Sequence, residues 1–166
     1  LAVPWETPRQ WSEAVWTIDR LVLSSGAGLT EARSRAAAVK KALEGLFPLL
    51  DALCLDTCLR CSDPCCLHAP VYADFRDLLL LSLSGIEHPP GQLRSRPGDL
   101  CRFFTDQGCL LPRVQRPWIC TWYLCGTQRS ALAQWSESDR RRLLDGLEEI
   151  RLERKRMEAA FLIAVT

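Results

Sequence analysis

Five cysteines within thirteen residues, Cys54, Cys58, Cys61, Cys65 and Cys66 in the stretch CLDTCLRCSDPCC, constrain this chain more than any other feature. Four more follow at Cys101, Cys109, Cys120 and Cys125, and neither terminal region holds any. A thiol used for packing behaves as a small hydrophobe and can sit on any apolar face, so packing alone would scatter these residues. Short gaps between thiols are what a polydentate metal site requires.

A disulfide framework is the main rival, and it fits less well. Such frameworks need an oxidising compartment, usually an even cysteine count, and often a chain too small to build a core. Here the count is odd, and 166 residues that are 48% hydrophobic can bury a core without staples. No secretory leader is visible, so the thiols are expected to be reduced and the chain cytoplasmic.

Overall charge narrows the function classes further. A net charge of +1 with 25% charged residues calls for neither nucleic acid nor an anionic membrane. No run reaches the ~18 apolar residues of a membrane span. The patch Leu78 to Leu83 is too short for one and reads as a buried helix. Arg140-Arg141-Arg142 is offset by Glu137, Asp139, Asp145, Glu148 and Glu149, which describes a solvated helix face.

Periodicity predicts helices at both ends. Thr7, Pro8 and Gln10 make a capping box with proline at the first helical position, and Trp11, Val15, Ile18 and Leu21 follow at helical spacing. Ser24 to Gly28 closes that helix. Thr30 begins a second, with Ala32, Ala36, Val39, Leu43, Leu46 and Phe47 on one stripe. Pro48 is expected to kink it or start a new helix. Asp74 caps a helix ended by Gly85, and the stretch 86–99, with three prolines and two glycines, reads as a loop. Cys101 to Leu111 suggests a hairpin turning at Asp106-Gln107-Gly108. Ser136 caps a long final helix with Leu143, Leu147, Ile150, Met157, Phe161 and Ala164 on its buried stripe.

The expected fold is therefore mainly α. It forms a single domain, 1–166, with a helical segment 1–53, an irregular cysteine-rich metal-binding core 54–125 that includes a small β-hairpin, and a C-terminal helix in 126–166.

Cys58-x-x-Cys61 lets two sulfurs point at one ion across a tight turn, although a lone C-x-x-C could equally be redox-active. Joined to Cys65-Cys66 and to two further pairs, it becomes a strong metal signal. Adjacent cysteines tend to diverge, which argues for two neighbouring ions or a multinuclear cluster, unless one of the two is a packing residue.

These residues resemble the zinc- or iron-chelating proteins of the C-x-x-C-x-x-C-C type, the YkgJ-like family. The likeness runs from Cys58, Cys61, Cys65 and Cys66 through Cys101 and Gly108-Cys109 to Arg116-Pro117-Trp118-Ile119-Cys120 and Cys125, about residues 54 to 125. Three residues separate Cys61 from Cys65 where the family usually has two, and Cys54 falls outside the pattern. The resemblance implies metal ligation by the eight matching cysteines, with zinc as the cofactor. Relatives of the pattern in flagellin lysine methylases are associated with an iron–sulfur cluster. The alternative it implies is thus an iron–sulfur protein with a redox or methyl-transfer role. Thiolates suit either group, and spacing does not choose between them.

A divalent ion with four thiolates carries a net charge of −2, which needs cations or amides around it. Arg60, Arg102 and Arg116 lie near the proposed ligands in sequence and are candidates to supply that charge. Trp118, Trp122 and Tyr123 bracket Cys120 and are expected to be core. His68 follows Cys66 closely but reads as a residue beside the site rather than a ligand. Asp74 and Asp77 read as helix-start residues, and His88 carries no case for ligation. Neither a phosphate loop, a nucleophile elbow nor a paired-acid arrangement is present. Besides the metal ion, the long C-terminal helix is the candidate docking element for a protein partner, and the metal would then act only as a staple.

Overall fold

A computed structural model describes residues 3–59, 61–67, 69 and 71–166. Arg60 and His68 lie outside the described residues, so the expectations attached to them are not addressed. Among the described residues the chain forms α1 (Pro8–Ser24), α2 (Thr30–Thr57), α3 (Phe75–Ser84), β1 (Phe104–Thr105), β2 (Gly108–Cys109), α4 (Trp118–Trp122), α5 (Gly126–Leu132) and α6 (Glu137–Val165). The class is mainly α with one two-stranded antiparallel hairpin, as the sequence predicts.

Local chemistry sets the helix ends. Thr7 accepts from the Gln10 amide at 3.2 Å while Gln10 accepts from the Thr7 amide at 3.1 Å, a reciprocal cap on α1. Asp74 and Asp77 do the same for α3, and Gly85, at φ 63°, ends it in a conformation that costs glycine little. Ser136 caps α6 through the Asp139 amide at 3.1 Å.

The frame is a pair of long helices. Arg35 meets Glu153, Gly45 accepts from Arg142, and Leu46 lies against Gly146, so the α2 numbers rise as the α6 numbers fall and the two run antiparallel. At about 1.5 Å per residue each extends roughly 40 Å. Their facing stripes, including Val39, Leu43, Leu46, Leu50 and Leu53 on one and Leu143, Leu147, Ile150, Met157 and Phe161 on the other, are buried. Helix α3 packs onto both, with Leu78 to Leu81 and Leu83 buried, as expected of that apolar patch. No described helix is long and apolar enough to cross a membrane.

Three expectations about local structure are sharpened by the structure. Helix α2 runs through Pro48 as a single helix, so no new helix starts there, and the apolar stripe on either side of the proline stays buried. The stretch 86–99 is irregular, as expected of a loop, and within it Gly91, Gln92, Leu93 and Arg94 are buried. Buried irregular backbone must find hydrogen bonds. Gln92 supplies several: its Oε1 accepts from the amides of Ala73 (2.8 Å) and Leu93 (3.0 Å), and its Nε2 donates to the carbonyls of Pro4 (2.8 Å) and Ala73 (3.1 Å). Finally, residues 126–166 hold two helices rather than one, with α5 preceding α6.

A candidate thiolate metal centre

Helix α2 delivers the first thiols. Cys54 lies in its last turn and Cys58 at its C-cap, one turn apart on the same face. The Cys54 and Cys58 thiols interact with each other, and the Arg113 guanidinium interacts with Cys54 as well. Together these outweigh burial and bring the Cys54 thiol down to about 6, while the same contact and burial push Cys58 up. The Cys61 amide donates to the Cys58 carbonyl at 3.2 Å, the tight turn expected of C-x-x-C.

Cys65 and Cys66 open a single 3-10 turn, Cys65–Leu67. Their thiols do not diverge as expected. Cys66 donates to Cys65, and that contact, then burial, raises its thiol. A 3-10 turn advances about 120° per residue and does not alternate sides as an extended strand does, so neighbouring sulfurs can meet.

The second segment docks directly on this turn. Cys101 is buried, and its amide donates to the Cys66 carbonyl at 3.1 Å. The hairpin then brings Cys109 back opposite Phe104, with Gly108 at φ 114° just before it. The third segment is aimed from the core. Asp77 accepts from the Trp118 amide at 2.8 Å, which fixes the start of α4, and α4 carries Cys120. Cys120 is exposed. Crowding raises its thiol, with Cys101, Cys109, Asp77 and Cys65 adding to the effect of burial. Cys125 caps α5: its sulfur accepts from the Gln128 amide at 3.5 Å, and Gln128 Oε1 accepts from the Cys125 amide at 3.2 Å.

Three cysteine-bearing segments far apart in sequence are therefore brought together. Mutual electrostatic influence connects Cys54, Cys58, Cys65, Cys66, Cys101, Cys109 and Cys120, and Gln128 ties Cys125 to Cys54 and Cys58. All nine cysteines are free. Among the described residues, however, no three His, Cys, Asp or Glu side chains are disposed around one point to hold an ion. The donor chemistry fits a thiophilic metal, but the sulfurs meet in twos, Cys54 with Cys58 and Cys65 with Cys66.

The expected counter-charges are redistributed. Arg102 is exposed and donates to Ser95 Oγ at 3.3 Å. Arg116 donates to the Leu111 carbonyl at 2.9 Å and stays close enough to lower Cys54 slightly. The residue that sequence reasoning missed is Arg94, 1% exposed. Its Nη2 donates to the carbonyls of Cys66 (2.7 Å) and Cys65 (3.4 Å), and its Nη1 to those of Leu67 (3.4 Å) and Asp99. Its Nε is buried without a partner, and no carboxylate among the described residues pairs with it. Its charge lowers the Cys101 thiol against a larger rise from burial. Only its place in a proline- and glycine-rich stretch hinted at the role. The aromatic expectation is also corrected: Trp118 packs on the core, but Trp122 and Tyr123 are 45% and 40% exposed, because the five-residue α4 turns its end outward.

No protein-family model, curated protein or solved structure matches this chain.

Proposed function

We propose that this protein binds metal through its clustered cysteine thiolates, with zinc as the ion and a cross-link between the three cysteine segments as the result. Arg94 is the observation that carries the reading. A guanidinium is always charged, and burying it against neutral carbonyls alone is costly unless an anion lies nearby. Two of the carbonyls that it holds belong to Cys65 and Cys66, and its charge is felt by the Cys101 thiol. A thiolate–metal centre supplies the missing negative charge, since one zinc with four thiolates has a net charge of −2.

A second observation points the same way. Among the described residues from Cys58 to Leu67, none is buried, and of these only Cys65 and Cys66 are packed against the apolar core. Bound zinc would tie it down, because binding to a site absent from the unfolded chain adds directly to folding free energy. Nine free thiols also suit a reducing, cytoplasmic setting.

The test is elemental analysis, sulfide determination and visible absorption on protein purified without oxygen. About stoichiometric zinc in a colourless sample supports the proposal. Iron with inorganic sulfide and a brown colour would replace zinc with an iron–sulfur cluster. A metal-free protein whose nine cysteines all titrate rapidly would overturn metal binding altogether.

A further inference from the structure

Away from the cysteines, α1 and the segment that follows α3 form the walls of an open groove of about 780 Å³. Hydrogen bonds tie these walls together. The Trp11 indole, 3% exposed, donates through Nε1 to the Pro89 carbonyl at 3.0 Å. Ser82 Oγ donates to Asp19 Oδ1 at 2.6 Å and meets His88 Nε2 at 2.9 Å. From outside, Gln115 Nε2 donates to the Glu87 carbonyl at 3.0 Å and holds the backbone of the outer lip. A groove braced in this way is formed before a ligand arrives.

The surface on offer is aromatic and acidic. Trp16 stands on the α1 wall, 60% exposed, and Pro89 and Pro90 line the other wall. Asp19 and Glu87 line the groove as carboxylates, and no lysine or arginine lines it. The Trp16 ring already receives a guanidinium from within the chain, with Arg20 Cζ 4.6 Å from its centroid. Its face is thus open to a planar cation, and the single charge of Arg20 does not cancel two carboxylates. From Trp11 to Asp19 the α1 wall runs roughly 12 Å, the length of about four residues of extended chain.

We infer that this groove binds an extended, arginine-bearing segment of a partner protein, with a guanidinium laid on Trp16 and held by the carboxylates of Asp19 and Glu87. Charge selects the occupant, since a phosphate-bearing surface would be repelled by the same two carboxylates. Shape selects an extended chain, because grooves lined by aromatic rings and prolines take segments that need little ordering. Arginine suits the ring better than lysine, whose compact ammonium does not stack. The groove contains no cysteine, so the inference stands apart from the metal-binding reading.

The test overlays the labelled full chain on three arrays of octapeptides with random flanks and a fixed central residue: arginine, its neutral isostere citrulline, or glutamate. Binding is expected to concentrate on the arginine array, and equal retention on all three would overturn the inference. The best arginine peptide is then titrated in solution by fluorescence anisotropy. Trp16→Ala and Glu87→Gln alter exposed side chains, so both variants should fold, and each should weaken binding by about two- to fivefold. Wild-type affinity in both variants would place the peptide elsewhere and overturn the groove. Sedimentation that shows the peptide-free chain dimerising, with the dimer lost in Trp16→Ala, would assign the groove to a second copy and overturn the partner segment. Any of these failures leaves the metal-binding reading standing, because none of the measurements reads metal.

Discussion

The Arg94 guanidinium donates to the Cys66 carbonyl at 2.7 Å from a position almost without solvent contact. A long-range contact of this kind joins the buried stretch 91–94 to the turn that carries two adjacent thiols. It makes the geometry of that turn depend on one cation.

Replacing Arg94 by Met should therefore be severe. The substitution keeps most of the volume but strips the carbonyls of Cys65, Cys66, Leu67 and Asp99 of a donor. Losses of about 3–5 kcal/mol are typical when one partner of a buried charged network is removed. Arg94→Lys should recover only part of this, because an ammonium cannot span the same carbonyls as a planar fork. Urea unfolding of each variant with and without zinc separates two roles. A penalty that is larger in the zinc-loaded protein identifies Arg94 as counter-charge to an anionic centre; an equal penalty in both marks a purely structural clamp.

Much of the frame was legible in the sequence because helix caps are local. Thr7 with Gln10, Asp74 with Asp77, and Ser136 each announce a terminus within four residues, and the structure places α1, α3 and α6 where they say. The hairpin was legible for the same reason, from the turn ahead of Gly108. What stayed hidden depends on partners distant in sequence. Gln92 and Arg94 are polar residues in a stretch rich in turn formers, and only tertiary packing buries them. Cys125 as a helix cap, and Cys54 as a neighbour of Gln128, follow from the docking of α5 against α2 rather than from any spacing. The assembly of the cysteine segments agrees with the clustering that suggested it, whereas the pairing of Cys65 with Cys66 runs against the expected divergence.

Gly146 offers a test of the helix pair itself. A Cβ there would lie 2.9 Å and 3.0 Å from the two methyl carbons of Leu46, which is itself buried. On an exposed face, Gly146→Ala would stabilise α6 by up to about 1 kcal/mol through helix propensity. Here overpacking, which typically costs about 1–3 kcal/mol, should exceed that gain. The expected outcome is net destabilisation, read from the thermal midpoint. Pairing the change with Leu46→Val should relieve most of it, and a simple increase in stability from Gly146→Ala alone would show that α2 and α6 do not approach this closely.

His88 should give the fold a specific pH dependence. Ser82 Oγ donates to Asp19 Oδ1 at 2.6 Å, so the 2.9 Å contact to His88 Nε2 is an N–H donation from a neutral ring, and Nδ1 is buried without a partner. Burial holds the imidazole below its ordinary range, against the opposing pull of Asp19. A group whose folded pKa is depressed contributes stability that is complete above its unfolded value, about 6.5, and that is lost as pH falls through the folded value. Urea unfolding at pH 8 and at pH 5 should show that loss in the wild type. Most of the difference should disappear in His88→Asn. An unchanged pH dependence in the variant would assign the effect to other groups.

The Arg154 ion pair should act on the thiols from a distance. Arg154, 3% exposed, pairs with Asp77 at 2.9 Å and Asp74 at 3.0 Å, and Asp77 in turn holds the Trp118 amide at the start of α4. Asp77→Asn weakens the charge pairing but leaves a side-chain oxygen to receive an amide. It should lower stability by a few kcal/mol, at about the scale of a disrupted buried pair. It should also raise the alkylation rate of Cys120 more than that of Cys54, because only Cys120 rides on α4. Equal acceleration at both thiols would indicate general loosening instead.

Removing the metal should expose how unevenly the centre of the chain is anchored. Structural zinc contributes on the order of 10 kcal/mol in small domains, and that energy is felt where other contacts are sparse. From 58 to 67 no described residue is buried, and the hairpin strands are two residues each, too short to be stable alone. Helix α3 lies between these regions in sequence but belongs to the core, with Leu78 and Leu79 fully buried and both ends capped. Amide hydrogen exchange on the metal-stripped, reduced protein should therefore show protection lost across 58–67 and 100–125 and kept in α2, α3 and α6. Full protection throughout would mean that the fold does not depend on metal, whereas loss extending equally into α3 would mean that the core and the cysteine segments unfold as one unit.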